Sequence, residues 1–231
     1  MSYQIAIDGP AGAGKSTIAR KVAREKNFIY VDTGAMYRAM AYHLLEEGAD
    51  PENDSEIAEK CEGADITISF ENGEQVVLLN GKNVNHVLRT EAVGNMASAV
   101  VSRNPQVRQR LTVLQKELAE KNNVVMDGRD IGTCVLPEAD VKVYLTASAR
   151  IRAKRRFDEL AAKGEAGDMD QIEADIIKIR DAVHWEPIIK RDEQDMNRKI
   201  APLRQAEDAV LIDSSRMTIE EVVRTILNLC R

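Results

Sequence analysis

Cysteine and histidine are both rare in this chain of 231 residues, with three of each. Cys61, Cys134 and Cys230 stand far apart and form no C-x-x-C or Cys/His spacing. That excludes a disulfide framework and a zinc site. His43, His86 and His184 are equally isolated, so each is read as structural rather than as a ligand or an acid–base group. Long apolar runs are missing as well: the opening Ile5–Ile7 stretch is cut by Asp8. It is too short for a signal peptide or a membrane span, and cytoplasmic residence is the expectation. No excess of positive charge exists either. The formal net charge is -6 and the pI near 5.3, which argues against bulk neutralisation of a nucleic-acid backbone. An anionic ligand must instead be met by local clusters of Arg and Lys. Repeats and low-complexity segments are also absent from the sequence.

The length supports one sizeable core and is short for two ordinary domains. YQIAIDG reads as a buried strand, and STIARKVAREK after Lys15 as a helix with Ile18, Ala19, Val22 and Ala23 on one side. Phe28–Val31 reads as a second strand and Ala35–Glu47 as a helix stopped by Gly48. Between Asp65 and Val84 the runs ITISF, QVVLL and the stretch around Val84 are divided by ENGE and NGK, which are hairpin turn signals. A small antiparallel insertion is expected there. Thr90–Ser102 and Pro105–Glu120 read as helices, Val124–Asp127 and Val141–Thr146 as strands, and ARIRAKRRF as a basic helix. After Gly164 and Gly167, helical spacing of Ile172, Ile176, Ile179 and Val183 continues until Pro187, where a stop is expected. AVLID is a last strand, and Thr218 with Glu221 forms a capping box for a helix reaching Leu229. Strands alternating with helices predict a parallel α/β sheet covered on both faces.

Gly9-Pro10-Ala11-Gly12-Ala13-Gly14-Lys15-Ser16 satisfies G-x-x-x-x-G-K-[ST] between a predicted strand and a predicted helix. Glycines there let backbone N–H groups turn toward phosphate oxygens, at the positive end of the helix. Lys15 adds a point charge between the β and γ phosphates, and the Ser16 hydroxyl suits Mg²⁺. Arginines elsewhere are candidates for a second anionic substrate: Arg38 in DTGAMYR with Thr33, Arg129 in DGRD, and Arg198 in RDEQDMNR. Unit charges about 4 Å apart interact by about 4 kcal/mol at an effective dielectric of 20, so two phosphates held in line need several guanidinium groups between them. Asp32 is read equally well as a turn or cap residue. No guanine-reading NKxD segment of the kind found in GTPase switches is present, which favours phosphate transfer over switching.

In this order, GPAGAGKST, DTGAMYR, LRT at Arg89, VR at Arg108, DGRDIGT at Asp127–Thr133 and RDxxDxxR ending at Arg198 resemble the bacterial cytidylate kinases over nearly the whole chain. The β-rich insertion sets that family apart from adenylate kinases. The resemblance implies a P-loop parallel core at 1–35, 103–148 and 198–231, an acceptor-binding insertion at 36–102 and a helical lid at 149–197. It implies ATP, with Mg²⁺, as donor at Gly9 through Thr17, with Arg152 and Arg156 one helical turn apart in the lid cluster of Arg150, Arg152, Arg155 and Arg156. CMP and dCMP are the implied acceptors. Thr33, Arg38, Arg129 and Arg198 would hold the acceptor phosphate, Arg191 and Asp195 the ribose, and Ser98, Arg108 and Asp130 the cytosine. Asp127 would orient a water on Mg²⁺. Relative to the family pattern the stretch around RDAVHWEPIIK is extended, and Arg180-Asp181 offers a second alignment for the ribose contacts. Arg191 and Asp195 are preferred because only they precede Arg198 and IAPL at the right spacing. A monomer acting on free nucleotides, without membrane or nucleic acid, is the expectation. Two rivals remain open at this point: a P-loop kinase of the shikimate or gluconate type, and a nucleotide-binding protein without transfer.

Overall fold

The computed structural model describes residues 2–71, 74–162 and 186–230. Five parallel strands form the central sheet: β1 (Gln4–Asp8), β2 (Ile29–Asp32), β6 (Val124–Gly128), β7 (Val141–Thr146) and β8 (Val210–Asp213). Their spatial order is β2-β6-β1-β7-β8. β1 is therefore central, pairing Ile5–Asp8 with both Val125–Gly128 and Val141–Tyr144. Both faces of β1, β6 and β7 are covered, which is why they read as apolar runs rather than as alternation, while β8 at the edge leaves Val210 and Leu211 exposed.

On one face α1 (Lys15–Lys26) and α8 (Ile219–Leu229) bury Ile18, Val22, Val222 and Ile226 against Ile5, Ile7, Val143 and Leu145. Each such side chain contributes about 1.5–3 kcal/mol by leaving water. The expected capping box is present: the Thr218 hydroxyl accepts from the Glu221 N–H, and the Glu221 carboxylate accepts from the Thr218 N–H. On the other face lie α2 (Thr33–Glu46) and α5 (Pro105–Lys121), with Met36, Met40, Leu44, Val107 and Leu111 buried. Asn104 caps α5 just before Pro105, where a proline loses no helical bond.

The insertion holds α3 (Asp54–Lys60), the antiparallel strands β3 (Ile66–Glu71), β4 (Glu74–Leu79) and β5 (Lys82–Asn83), and α4 (Glu91–Met96). NGK forms the expected tight turn, with Asn80 and Gly81 both at positive φ. Of ENGE, Asn72 and Gly73 lie outside the described residues. Gln75 ties this sheet to the core, accepting from the Asp32 N–H at 2.7 Å and donating to the Asp32 carbonyl at 3.3 Å.

Several boundaries differ from the sequence reading. α2 begins at Thr33, because Asp32 caps it by accepting from the Ala35 N–H at 2.9 Å. The predicted helix Thr90–Ser102 is α-helical only to Met96, after which Ala97–Val101 widens and the Ser102 N–H bonds back five residues to Ala97. α3 was not expected; it buries a single apolar side chain, Ile57, and so shows little periodicity. A helix that was not expected, α7 (Glu186–Asn197), has Pro187 as its second residue, where a missing N–H costs little. The helix that Pro187 was expected to stop lies outside the described residues. The basic segment forms α6 (Ala149–Ala162) as expected. The predicted helical spacing from Ile172 to Val183, with Arg180-Asp181, lies outside the described residues. No described helix is long and apolar enough to cross a membrane.

Candidate active site

The carboxyl ends of β1, β2, β6 and β7 meet at one edge of the sheet, where open α/β folds place their ligands. Each end leads into one of the candidate segments. β1 runs into the glycine loop, β2 into Thr33, β6 into Arg129 and Asp130, and β7 into α6 with Arg152.

The glycine loop has the conformation its sequence demands. Gly9 has φ 148 and packs on β7 so closely that a Cβ would collide with the Leu145 carbonyl. Gly14, at φ 89, is the N-cap of α1. Lys15 is buried and donates to the Pro10 carbonyl at 2.8 Å, closing the loop with its own side chain. Burial pushes its pKa down, and the nearby Arg129 guanidinium pushes in the same direction. The charge of an anionic ligand would oppose both influences.

Ser16 donates from Oγ to the Asp127 carboxylate at 3.0 Å, and Tyr30 donates to the other carboxylate oxygen at 2.9 Å. Asp127 is held above the usual carboxylate range, first by burial and then by the charge of Asp32. A hydroxyl, a buried carboxylate and a second acidic group stand together here, with the Lys15 charge also acting on Asp127. These are the hard oxygen donors that Mg²⁺ accepts alongside phosphate and water. Among the described residues no cluster of three or more His, Cys, Asp or Glu exists that would hold a metal without a ligand's help.

Arg152 joins the loop from α6. It donates from Nε to the Ala147 carbonyl at 2.9 Å and from Nη1 to the Ala11 carbonyl at 2.8 Å, and it pairs with Asp192 at 2.6 Å. Asp192, on α7, also accepts from the Ala11 N–H at 3.3 Å. Arg155 reaches the Ala13 carbonyl and both oxygens of Ser214. The side chains of Arg156 and Arg191 lie outside the described ones.

On the acceptor side the structure links residues from three distant segments into one chain of ion pairs. Arg108 and Arg198 grip the two oxygens of the Asp130 carboxylate, Arg198 at 3.1 Å. Arg198 also approaches Asp195 at 3.9 Å, and Asp195 accepts from Arg129 Nε at 2.9 Å. Asp130, Arg108 and Arg198 are all largely shielded from water, so these contacts are screened far less than surface pairs. Arg38 pairs with Asp32 at 3.1 Å, while its Nε is buried without a partner. A buried unpaired guanidinium N–H is costly, and an incoming anion would satisfy it. Thr33 donates to the Asp127 carbonyl at 2.7 Å, which fixes the start of α2 against β6. Ser98 stands apart from the network: its hydroxyl donates back to the Gly94 carbonyl at 2.9 Å within its own helix.

Four residues of this region were not singled out by sequence reasoning. Tyr37 lies beneath the Arg108 guanidinium, 5.5 Å from centroid to Cζ, and burial pushes its pKa up to about 12. Its place inside DTGAMYR was the signal that could have found it. Asp8 and Asp192 reach partners 123 and 181 residues away, and no local pattern announces them. Arg155 was grouped with the lid cluster and instead holds the glycine loop from outside.

A strand, a glycine loop and a helix bearing Lys15 and Ser16, facing a set of arginines across the same sheet edge, define a P-loop phosphotransferase. Within that class the chain belongs to the cytidylate kinase family, whose family model, described as "Cytidylate kinase", matches residues 5–231. It is 44% identical to the cytidylate kinase of Shouchella clausii over 229 residues, covering 99% of this chain and 96% of that one. Identity to the cytidylate kinase of Caldicellulosiruptor bescii is 47%, with 97% and 94% covered. For that of Carboxydothermus hydrogenoformans it is 46%, with 98% and 96% covered. Among solved structures, a shikimate kinase from Bacteroides thetaiotaomicron aligns over 98% of this chain and 97% of that one, at 16% identity and TM-score 0.41. That likeness is too slight to weigh on the acceptor.

Proposed function

We propose that the chain transfers the γ-phosphate of ATP to CMP and dCMP, giving CDP or dCDP and ADP. The observation that carries this reading is the electrostatic proximity of the two half-sites. Arg129 and Asp195, members of the acceptor-side chain, both act on the charge of Lys15 in the donor loop. Two anions held by these groups would meet between them.

Phosphoryl transfer has a loose transition state with little covalent chemistry, so the protein's task is alignment and charge stabilisation. The loop at residues 9–17, through its main-chain N–H groups (Pro10 has none) and Lys15, would hold the donor phosphates, with Arg152 and Arg156 reaching them from the lid at 149–197. Ser16, and Asp127 through water, would hold Mg²⁺, which when bound neutralises phosphate charge. Thr33, Arg38, Arg129 and Arg198 would clamp the acceptor phosphate. Asp195 pairs with Arg129 and flanks Arg198, so an acceptor phosphate on these arginines would share them with a carboxylate that offsets their mutual repulsion. With the acceptor, Asp195 and Arg191 would turn to the ribose, within the insertion at 36–102 and the lid. The acceptor phosphate is already ionised, so no strong general base is needed.

Base choice rests on Asp130, with Arg108 and Ser98 beside the ring. The Asp130 carboxylate is paired with two arginines, and an ionised carboxylate can only accept hydrogen bonds. Cytosine offers it the N4 amine, whereas uracil presents O4 at the same place. A coupled assay of ADP release with CMP, UMP, AMP and GMP tests the proposal. CMP should exceed UMP by roughly a hundredfold in kcat/KM, because the uracil complex leaves a desolvated carboxylate facing an oxygen. Turnover with a hydroxyl acceptor and none with CMP would select another kinase class. ATP binding without transfer to any acceptor would leave a binding protein. The partners in this reading are free nucleotides of the cytoplasm, met by a monomer.

A further inference from the structure

Asp130 occupies the N-cap position of the helical turn Ile131–Val135, and Asp is among the residues best suited to cap a helix with its own side chain. It makes no capping bond. Its carboxylate is turned away toward Arg108 and Arg198, which leaves the first N–H groups of the turn without a local acceptor. The missing acceptor comes from Asp8, 123 residues earlier. Its Oδ1 accepts from the Ile131 N–H at 2.9 Å and its Oδ2 from the Gly132 N–H at 2.7 Å.

We propose that Asp8 is a positioning residue for acceptor recognition: by capping the turn after Asp130 from the neighbouring strand, it frees the Asp130 carboxylate to face the base. The inference rests on the acceptor reading given above and adds a residue outside that site. Asp8 is the last residue of β1, in register with Gly128 on β6 and Tyr144 on β7, and it is followed at once by Gly9. One side chain thus fixes the acceptor loop to the origin of the donor loop.

The chemistry at this position requires a carboxylate. Asp8 is 5% exposed, and among the described residues it has no ion pair; burial raises its pKa to about 6. A group so costly to bury is retained where both oxygens have work. Asn would accept one N–H and set its own NH₂ against the other. Packing alone would accept that isosteric change. Gly132 is also tight against this anchor, since a Cβ there would stand 3.4 Å from Asp8 Oδ2 and 3.3 Å from the Lys142 stem.

The test compares wild type, Asp8→Asn, Asp130→Asn and the double variant with CMP and UMP, and measures ATP affinity by titration without acceptor. In Asp8→Asn the KM for CMP should rise about tenfold and the CMP/UMP ratio of kcat/KM fall by about as much, the scale expected when a hydrogen bond to a charged group is lost. ATP affinity should change less than the CMP/UMP ratio, because Asp8 bears on the donor phosphates only through its charge near Lys15, and that effect is common to both acceptors. If Asp8 acts through Asp130, the double variant discriminates no worse than Asp130→Asn alone. Should the carboxamide fail to fold, Asp8→Ser, smaller and uncharged, carries the same comparison. An unchanged CMP/UMP ratio in a folded Asp8 variant, whatever its Tm, would overturn the proposal, and so would additive losses in the double variant. Failure of the acceptor reading itself would show separately, as wild type that does not phosphorylate CMP.

Discussion

Between Gly9 and Ser16 the donor loop places its groups with main-chain geometry, in eight consecutive residues whose glycines and Lys15 leave few alternatives. The acceptor side does the opposite. It draws Thr33 and Arg38 from α2, Arg108 from α5, Arg129 and Asp130 from the end of β6, and Asp195 and Arg198 from α7 and its end. Side chains, not backbone, do the holding there, and each guanidinium stands beside an acidic partner. A contiguous loop can be written into sequence once and tolerates change elsewhere. A site assembled from remote segments depends on every element that brings them together.

The sharpest contrast should appear on removing one group from each side. Lys15→Ala removes a charge that acts most strongly on the phosphates in the transition state, and turnover should fall on the order of a thousandfold with every acceptor. The fold should persist, because that lysine is buried with its pKa pushed down and closes only its own loop. Circular dichroism beside the coupled assay checks both statements; near-normal turnover would remove the donor assignment. On the acceptor side, Arg38→Lys, Arg129→Lys and Arg198→Lys keep charge and lose the fork. Losses of about 10- to 100-fold in kcat/KM for CMP are expected, with ATP affinity little changed. Three variants with wild-type kinetics would mean the clamp lies elsewhere.

A smaller effect separates the two regions by pH. Asp8 has its folded pKa raised from 3.8 to about 6 by burial, so the folded state holds its proton more firmly than the unfolded chain. Stability from this group is present below about pH 4 and is lost as pH rises through 6, by at most roughly 3 kcal/mol. The Tm difference, Asp8→Asn minus wild type, should therefore move in the variant's favour by a few degrees between pH 4 and pH 6.5. Parallel melting curves across that range would contradict the assignment of the proton to Asp8.

What was legible in the sequence follows the same division. The glycine loop, the five core strands and the final capping box depend on neighbours in the chain, and their signals are local. Arg38, Arg129 and Arg198 could be picked out as residue types, but their convergence came only from the order of motifs. The roles of Asp8, Tyr37 and Asp192 gave no local signal because what defines them is contact with residues far along the chain, and Arg155, legible only as one of a basic cluster, gave no sign of its bonds to Ala13 and Ser214. α7 was not foreseen because proline both ends helices and begins them, and the neighbours of Pro187 do not decide which.

The central claim is that a carboxylate held by two arginines reads the base, and the CMP/UMP ratio of kcat/KM in Asp130→Asn tests it most directly. An amide at that position can donate to O4 as well as accept from N4, and Arg108 and Arg198 lose the charge they grip. The account predicts a loss of CMP activity together with a ratio that narrows from roughly a hundredfold toward parity. A ratio that stays at its wild-type value would show that the base is chosen by another group, and would return the choice to Ser98 and Arg108.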